Sequence, residues 1–162
     1  MSKLYVNELV PRDASVITAP NLQLPAGSVV QYKSTYINTQ TTINTGTAVD
    51  VVSLNFTPKY SNSIIVVQNC HGQTTRTTGV GTGGWLNNYI RVDGSNIEGQ
   101  GAIGYPHDFN DERLTFTLLV ELPSWGTTTK NVSVACSVGG TVTYYISHQG
   151  FRTSLFVWEI AQ

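Results

Sequence analysis

Charge is scarce in this chain. Of 162 residues, nine are Lys or Arg and ten are Asp or Glu, 12% together, with a net charge of −1. Ordinary soluble domains carry about a quarter. Without a basic surplus nothing here neutralises a phosphate backbone, so nucleic acid is not an expected partner. Long apolar runs are missing too. None approaches the roughly 18 residues that span a bilayer as a helix, and no apolar core follows the first residues as in a secretory leader. Membrane insertion is therefore not expected, and synthesis in a cytoplasm is. There are only two cysteines, Cys70 and Cys136. Both fall in predicted strands, and the expectation is a reduced, buried pair. A helical period is absent from every window.

Signals for catalysis are equally thin. His71, His107 and His148 are scattered, and no G-x-S-x-G elbow accompanies them. Gly79 to Gly84 (GVGTGG) match G-x-G-x-x-G by letter. A phosphate cradle needs a helix next, and a strand beginning at Trp85 follows instead. His107, Asp108, Asp111 and Glu112 crowd one segment without the D-x-D-x-D-G spacing of a calcium loop. Nothing pairs two carboxylates for glycoside cleavage. The expectation is a protein that is not an enzyme and needs no cofactor or metal.

What is abundant is Thr, Ser, Asn and Gln, punctuated by fifteen Gly and six Pro. Thr favours strands, Asn and Gly favour turns, and the chain reads as all-β. Val52, Leu54 and Phe56 alternate with Ser53, Asn55 and Thr57, the period-two pattern of a half-buried antiparallel strand. A strand near 85–93 sets Leu86, Asn88, Ile90 and Val92 against Trp85, Tyr89 and Arg91 and ends in the turn signal Asp93-Gly94. Residues 95–111 read mostly as loop, with room for a short strand near Ala102 and Ile103. The best pattern runs from 113 to 122, with Leu114, Phe116, Leu118, Val120 and Leu122 on one face and Arg113, Thr115, Thr117 and Glu121 on the other. Val132, Val134, Cys136 and Val138 form the next inward set. Gly139-Gly140 then reads as a hairpin loop returning through Val142, Tyr144 and Ile146. About eight strands at this spacing predict a two-sheet sandwich, either jelly roll or Greek key.

Two segments depart from alternation. Ile64 to Val67 is apolar on both faces. So is Thr153 to Ile160, with Phe156, Trp158 and Ile160 on one side and Leu155 and Val157 on the other. Such strands need a cover on the second face. Ile65, Val67, Leu155 and Val157 are the residues expected to meet a neighbouring subunit. Aromatics such as Trp85, Tyr89, Tyr105, Trp125, Tyr144 and Tyr145 could stack on sugar rings or fill the core. Of these, the loop residues Tyr105 and Trp125 are the candidate glycan contacts.

Residues 1–27 differ from the rest. Pro11, Pro20 and Pro25 interrupt short apolar patches, each denying a ladder hydrogen bond and favouring extended backbone. The reading is an extended N-terminal docking arm that contacts its partner through Leu4, Tyr5, Val6, Leu9 and Val10. The sandwich follows over 28–162.

The segment from Gly27 to Val67 carries a family resemblance: Gly27, Val30, Gln31, a Thr-rich spacer, then Thr57, Pro58, Lys59, Ser61, Ser63 and Ile64. It resembles a domain found in tailed-bacteriophage virion proteins of the cyanophage and marine-phage type, and the opening MSKLYVNELV and the ending LFVWEIAQ look like theirs. The resemblance implies a homotrimeric jelly roll, similar to the tumour-necrosis-factor-like fold, on the virion surface. The expected role is a capsid decoration or knob protein or a short fibre, without catalytic residues. The arm would then dock on another virion protein, a capsid or tail component. The alternative is a tail-fibre receptor-binding protein that grips host-surface glycan.

Overall fold

The computed structural model describes residues 24–77, 84–105, 113–140 and 142–162. The strands are β1 (Val29–Ile37), β2 (Thr41–Ile43), β3 (Val49–Phe56), β4 (Ile64–Thr77), β5 (Gly84–Val92), β6 (Ser95–Tyr105), β7 (Arg113–Pro123), β8 (Lys130–Gly139), β9 (Thr143–Ile146) and β10 (Thr153–Ile160). Among the described residues a 3-10 turn covers His148–Gly150. The fold is all-β, as its composition predicts.

The strands pair from the outside inward. β1 pairs β10, β2 pairs β9, β3 pairs β8, β4 pairs β7 and β5 pairs β6, all antiparallel. The chain is thus one long ribbon doubled back on itself. Its tip is the Asp93-Gly94 turn, where both residues hold positive φ, 49° and 78°, as the tight two-residue hairpin requires. The ribbon then curls so that β10 also meets β4 and β8 also meets β5. The result is two facing sheets, β1-β10-β4-β7 and β3-β8-β5-β6, the first extended by β9 and β2 beside the second half of β4. That order is the jelly roll. The edges of β1 and β3 are tied by side chains, with Lys33 Nζ donating to the Asn55 carbonyl at 2.7 Å and Gln31 Nε2 to the Thr57 carbonyl at 2.7 Å.

Alternation places the core as expected in β3, β5, β7 and β8. Leu54, Phe56, Leu86, Ile90, Leu118, Val120, Leu122, Val132 and Val134 are all buried between the sheets. Two expectations are corrected. Residues 95–105 form a full strand, β6, rather than a loop with at most a short strand near Ala102 and Ile103. Gly139-Gly140 is not a hairpin, because β9 pairs with β4 and β2 on the opposite sheet and the chain crosses over there. Strand β4 runs on for 14 residues to Thr77. A register shift between His71 and Thr74 lets it change partner from β10 to β9. Gly72 sits in that shift because the backbone just before β10 comes close: a Cβ there would run into the carbonyl oxygen of Arg152.

The core is divided. One apolar cluster gathers around Phe56, Ile65, Val67, Ile90, Leu155 and Val157, the other around Ile43, Leu86, Val138, Tyr144 and Ile146. Between them runs a buried polar seam. The Ser147 hydroxyl donates to Thr153 Oγ1 at 2.8 Å, and Thr153 Oγ1 lies 3.4 Å from His71 Nδ1. His71 Nε2 meets Asn88 Oδ1 at 3.3 Å, and Asn88 Nδ2 donates to Asn69 Oδ1 at 3.4 Å. The thiol of Cys136 points to Asn88 Oδ1. Burial lowers the pKa of His71 to about 4, the bond to Asn88 opposing it only in part, so the ring is neutral near pH 7. Burial likewise raises that of Cys136. Cys70 points the other way, to the outside of its sheet, and both thiols are free. Both cysteines are thus unbonded, as expected, but only Cys136 is buried; Cys70 is half-buried because it lies on the outer face of its sheet.

Candidate assembly interface

Ile65, Val67, Leu155 and Val157 point inward and are fully buried within this one chain. The expectation that they face a neighbouring subunit is corrected, because the opposite sheet already covers them. The other face of the same strands is the one left open. Across β1, β10, β4 and β7 it is laid out in rows: Val29, Ile160, Ile64 and Pro123; then Tyr32, Trp158, Val66 and Glu121; then Ser34, Phe156, Gln68 and Leu119; then Tyr36, Ser154, Cys70 and Thr117. Tyr32 is 51% exposed and Leu119 63%.

The apolar side chains here are organised. The rings of Tyr32, Phe156 and Trp158 contact one another, with centroids 5.6, 5.8 and 6.4 Å apart. The Arg152 guanidinium lies over the Tyr36 ring at 4.2 Å from its centroid, a cation–π contact. Four strands about 4.8 Å apart and some eight residues long present roughly 500 Å² of face. Its apolar part is the connected group Val29, Ile160, Ile64, Tyr32, Trp158, Val66, Phe156 and Leu119, bordered by Glu121, Ser34, Gln68, Ser154 and Thr117.

One end of this face is fastened by Glu159, which sequence reasoning passed over. It shares the inward side of β10 with Leu155 and Val157 and is fully buried. Its carboxylate accepts from the backbone N–H of Lys59 at 2.8 and 2.9 Å and of Tyr60 at 2.8 Å, from Ser63 Oγ at 2.8 Å and from Gln31 Nε2 at 2.7 Å. Burial pushes its pKa up, but the bonds from Lys59, Tyr60, Ser63 and Gln31 outweigh this and leave it lowered. Charge-assisted bonds of this kind are the strong ones. Gln31, Lys59 and Ser63 are among the residues that carry the resemblance noted above, and here they act together: they hold the β3–β4 turn against the last strand. The Pro/Lys/Ser spelling of that turn was the available signal, although the partner lies about a hundred positions away.

The other candidates are scattered. Tyr105 ends β6 opposite Gly84, at the Gly139 end of its sheet. Trp125 lies in the β7–β8 connection at the Lys130 end, edge-on to Phe56 at 6.3 Å, with its indole N–H donating to the Thr128 carbonyl at 3.0 Å. The length of β8, about 30 Å, separates them, so no single sugar touches both. Leu4, Tyr5, Val6, Leu9 and Val10 lie outside the described residues, as do His107, Asp108, Asp111, Glu112 and Gly79 to Gly83. The chain enters the sandwich at Gly27 and Ser28, which exchange backbone hydrogen bonds with Ala161 at the Val29–Ile160 end of the open face.

No family model matches the chain, and no curated protein matches it. Solved structures similar to it include the VP2 subviral particle of infectious bursal disease virus, at 12% identity and a TM-score of 0.48, covering 91% of this chain and 37% of that one. A second, the Gx strain of the same virus, matches at 12% identity and a TM-score of 0.43 over 92% of this chain and 42% of that one. The chain spans less than half the length of either. At this identity and TM-score the likeness bears on neither family nor activity.

Proposed function

We propose that this chain is a non-enzymatic structural subunit of a tailed-phage virion. It acts as a homotrimer on the particle surface, held there by its N-terminal arm, as a capsid decoration or knob protein or a short fibre. The observation that carries the reading is the open aromatic face of β1, β10, β4 and β7. A jelly roll already closes its own core between two sheets, so a further ordered apolar face has a use only in contact with something else. A ring of identical subunits covers such a face without leaving it exposed. The chain enters at the end of this face, so an arm over residues 1–27 starts beside the interface and can reach past it to a capsid or tail protein. Low charge and a Thr- and Asn-rich surface suit a protein displayed at high local copy number.

The experiment is to remove residues 1–26 and ask whether the body folds, trimerises and binds its parent particle. The proposal expects a folded trimer that no longer attaches. Attachment by the truncated protein would overturn the role of the arm. A second reading, a receptor-binding fibre component that contacts host-surface glycan, draws on a separate feature of the other sheet: the exposed indole of Trp85.

A further inference from the structure

We infer that Trp85 is the stacking platform of a binding site for a neutral saccharide, on the outer face of β3-β8-β5-β6. Trp85 opens the outward row of β5, followed by Asn87, Tyr89 and Arg91, and it is 42% exposed. Its register partner on β8 is Gly139 and on β6 is Gly104. The indole lies flat over Gly139: a Cβ at that position would fall against Cε2, Cζ2 and Nε1 of the ring. One π-face therefore rests on backbone and the other faces out. Glycine on both flanking strands gives the ring no side-chain neighbour at its own register.

A flat, supported aromatic face is a surface that the C–H face of a pyranose covers well, because it exchanges two weakly hydrated surfaces for one contact. Polar groups beside the ring are held in place. Asn87 Nδ2 donates to Ser137 Oγ at 3.2 Å, and the Tyr89 hydroxyl lies 3.4 Å from the same oxygen. The ring supplies the apolar contact and these groups the polar ones, the two kinds of contact that orient a sugar. The charge on this row selects for neutrality. The Arg91 guanidinium is paired with Asp50 at 2.9 Å and also donates to the Gly94 carbonyl, so it does not recruit an acidic sugar. Trp85 is a location separate from Tyr105 and Trp125, the candidate contacts named from the sequence.

The inference gives the glycan-contacting reading a location and rests on that reading only for the source of the sugar. The platform lies on the sheet opposite the aromatic face, so assembly through that face leaves it open. Binding and oligomeric state are thus read separately.

The test uses the full chain and a panel of neutral oligosaccharides (maltohexaose, cellohexaose, chitohexaose and a galactohexaose), with sialyllactose as the acidic comparison. The readout is the dissociation constant from isothermal titration calorimetry, measured in the same way for the parent and each variant, together with the NMR shift of the Trp85 indole N–H in the parent. At least one neutral sugar is expected to move that resonance at a concentration of about 1 mM or below. Trp85→Ala should weaken binding about tenfold or more. Trp85→Tyr, which keeps a ring over Gly139, should fold and bind within a few-fold of the parent. The inference is overturned if no neutral sugar moves the resonance, if Trp85→Ala binds as well as the parent, or if only sialyllactose binds.

Discussion

The carboxylate of Glu159 in the last strand accepts the backbone N–H of Lys59, 100 positions earlier, at 2.8 and 2.9 Å through its two oxygens. That bond and its companions from Tyr60, Ser63 and Gln31 anchor the β3–β4 turn to β10. Glu159→Gln keeps the shape but turns an amide N–H toward a ring of donors. Each buried donor left without an acceptor costs about 1–3 kcal/mol, so the substitution should lower stability by about 2–4 kcal/mol. Urea unfolding checks this: an unchanged midpoint would show that the carboxylate is not needed there.

Acid should destabilise the fold in two stages. His71 is held neutral, with its pKa lowered to about 4 by burial. Below about pH 6.5 the unfolded chain protonates this histidine and the native chain does not, so stability falls as pH drops from 6.5 to 4, by on the order of 3 kcal/mol. Glu159 acts lower down. Its folded pKa is depressed, so its contribution is full above the ordinary carboxylate range and is lost as pH falls through the folded value. Chemical denaturation from pH 7.5 to 4 should show the first loss in the parent and a flatter profile in His71→Gln. Equal profiles would remove His71 as the cause.

The two faces of the first sheet should respond differently to the same kind of change. Leu155 is fully buried and Leu119 is 63% exposed. Leu155→Ala should cost about 2–5 kcal/mol, whereas Leu119→Ala in a dissociated chain should stay within about 0.5 kcal/mol. Thermal unfolding of both variants under dissociating dilution measures the contrast, and similar losses would mean that the inward face is wrongly assigned.

Gly72→Ala tests the change of partner along β4. The methyl group would meet the Arg152 carbonyl, backbone that cannot swing aside. Overpacking of this kind costs about 1–3 kcal/mol. The expected effect is a lower melting temperature together with faster hydrogen exchange at Thr153 and His71. An unaltered melting temperature would show that the strands do not approach so closely.

Much of this fold is legible in the sequence wherever one face meets the core and the other meets water. Leu118, Val120 and Leu122 against Thr115, Thr117 and Glu121, or Leu86 and Ile90 against Tyr89 and Arg91, separate cleanly by parity. The pattern fails where a polar seam enters the core. Asn69, His71 and Gln73 look like the end of a strand, yet they are the buried middle of β4. Glycines at 99, 101 and 104 likewise disguise β6. The faces of β10 cannot be ordered by apolar content, and Glu159 makes the wrong choice attractive. A carboxylate is almost never inside unless paired, so it marks the side of Leu155 and Val157 as outward. Only donors from Gln31, Lys59, Tyr60 and Ser63 reverse that, and their convergence is a property of the fold. The outward Leu119, breaking the polar row of the best-patterned strand, is the clue that does survive in sequence.

The central claim is assembly through the aromatic face, and mass in solution tests it most directly. Light scattering on the parent chain at micromolar concentration should give three times the 17.6 kDa of one chain. Tyr32→Asp combined with Leu119→Arg, both at exposed positions, should give a folded monomer. A parent that is strictly monomeric at that concentration, or a double variant that stays trimeric, would contradict the account.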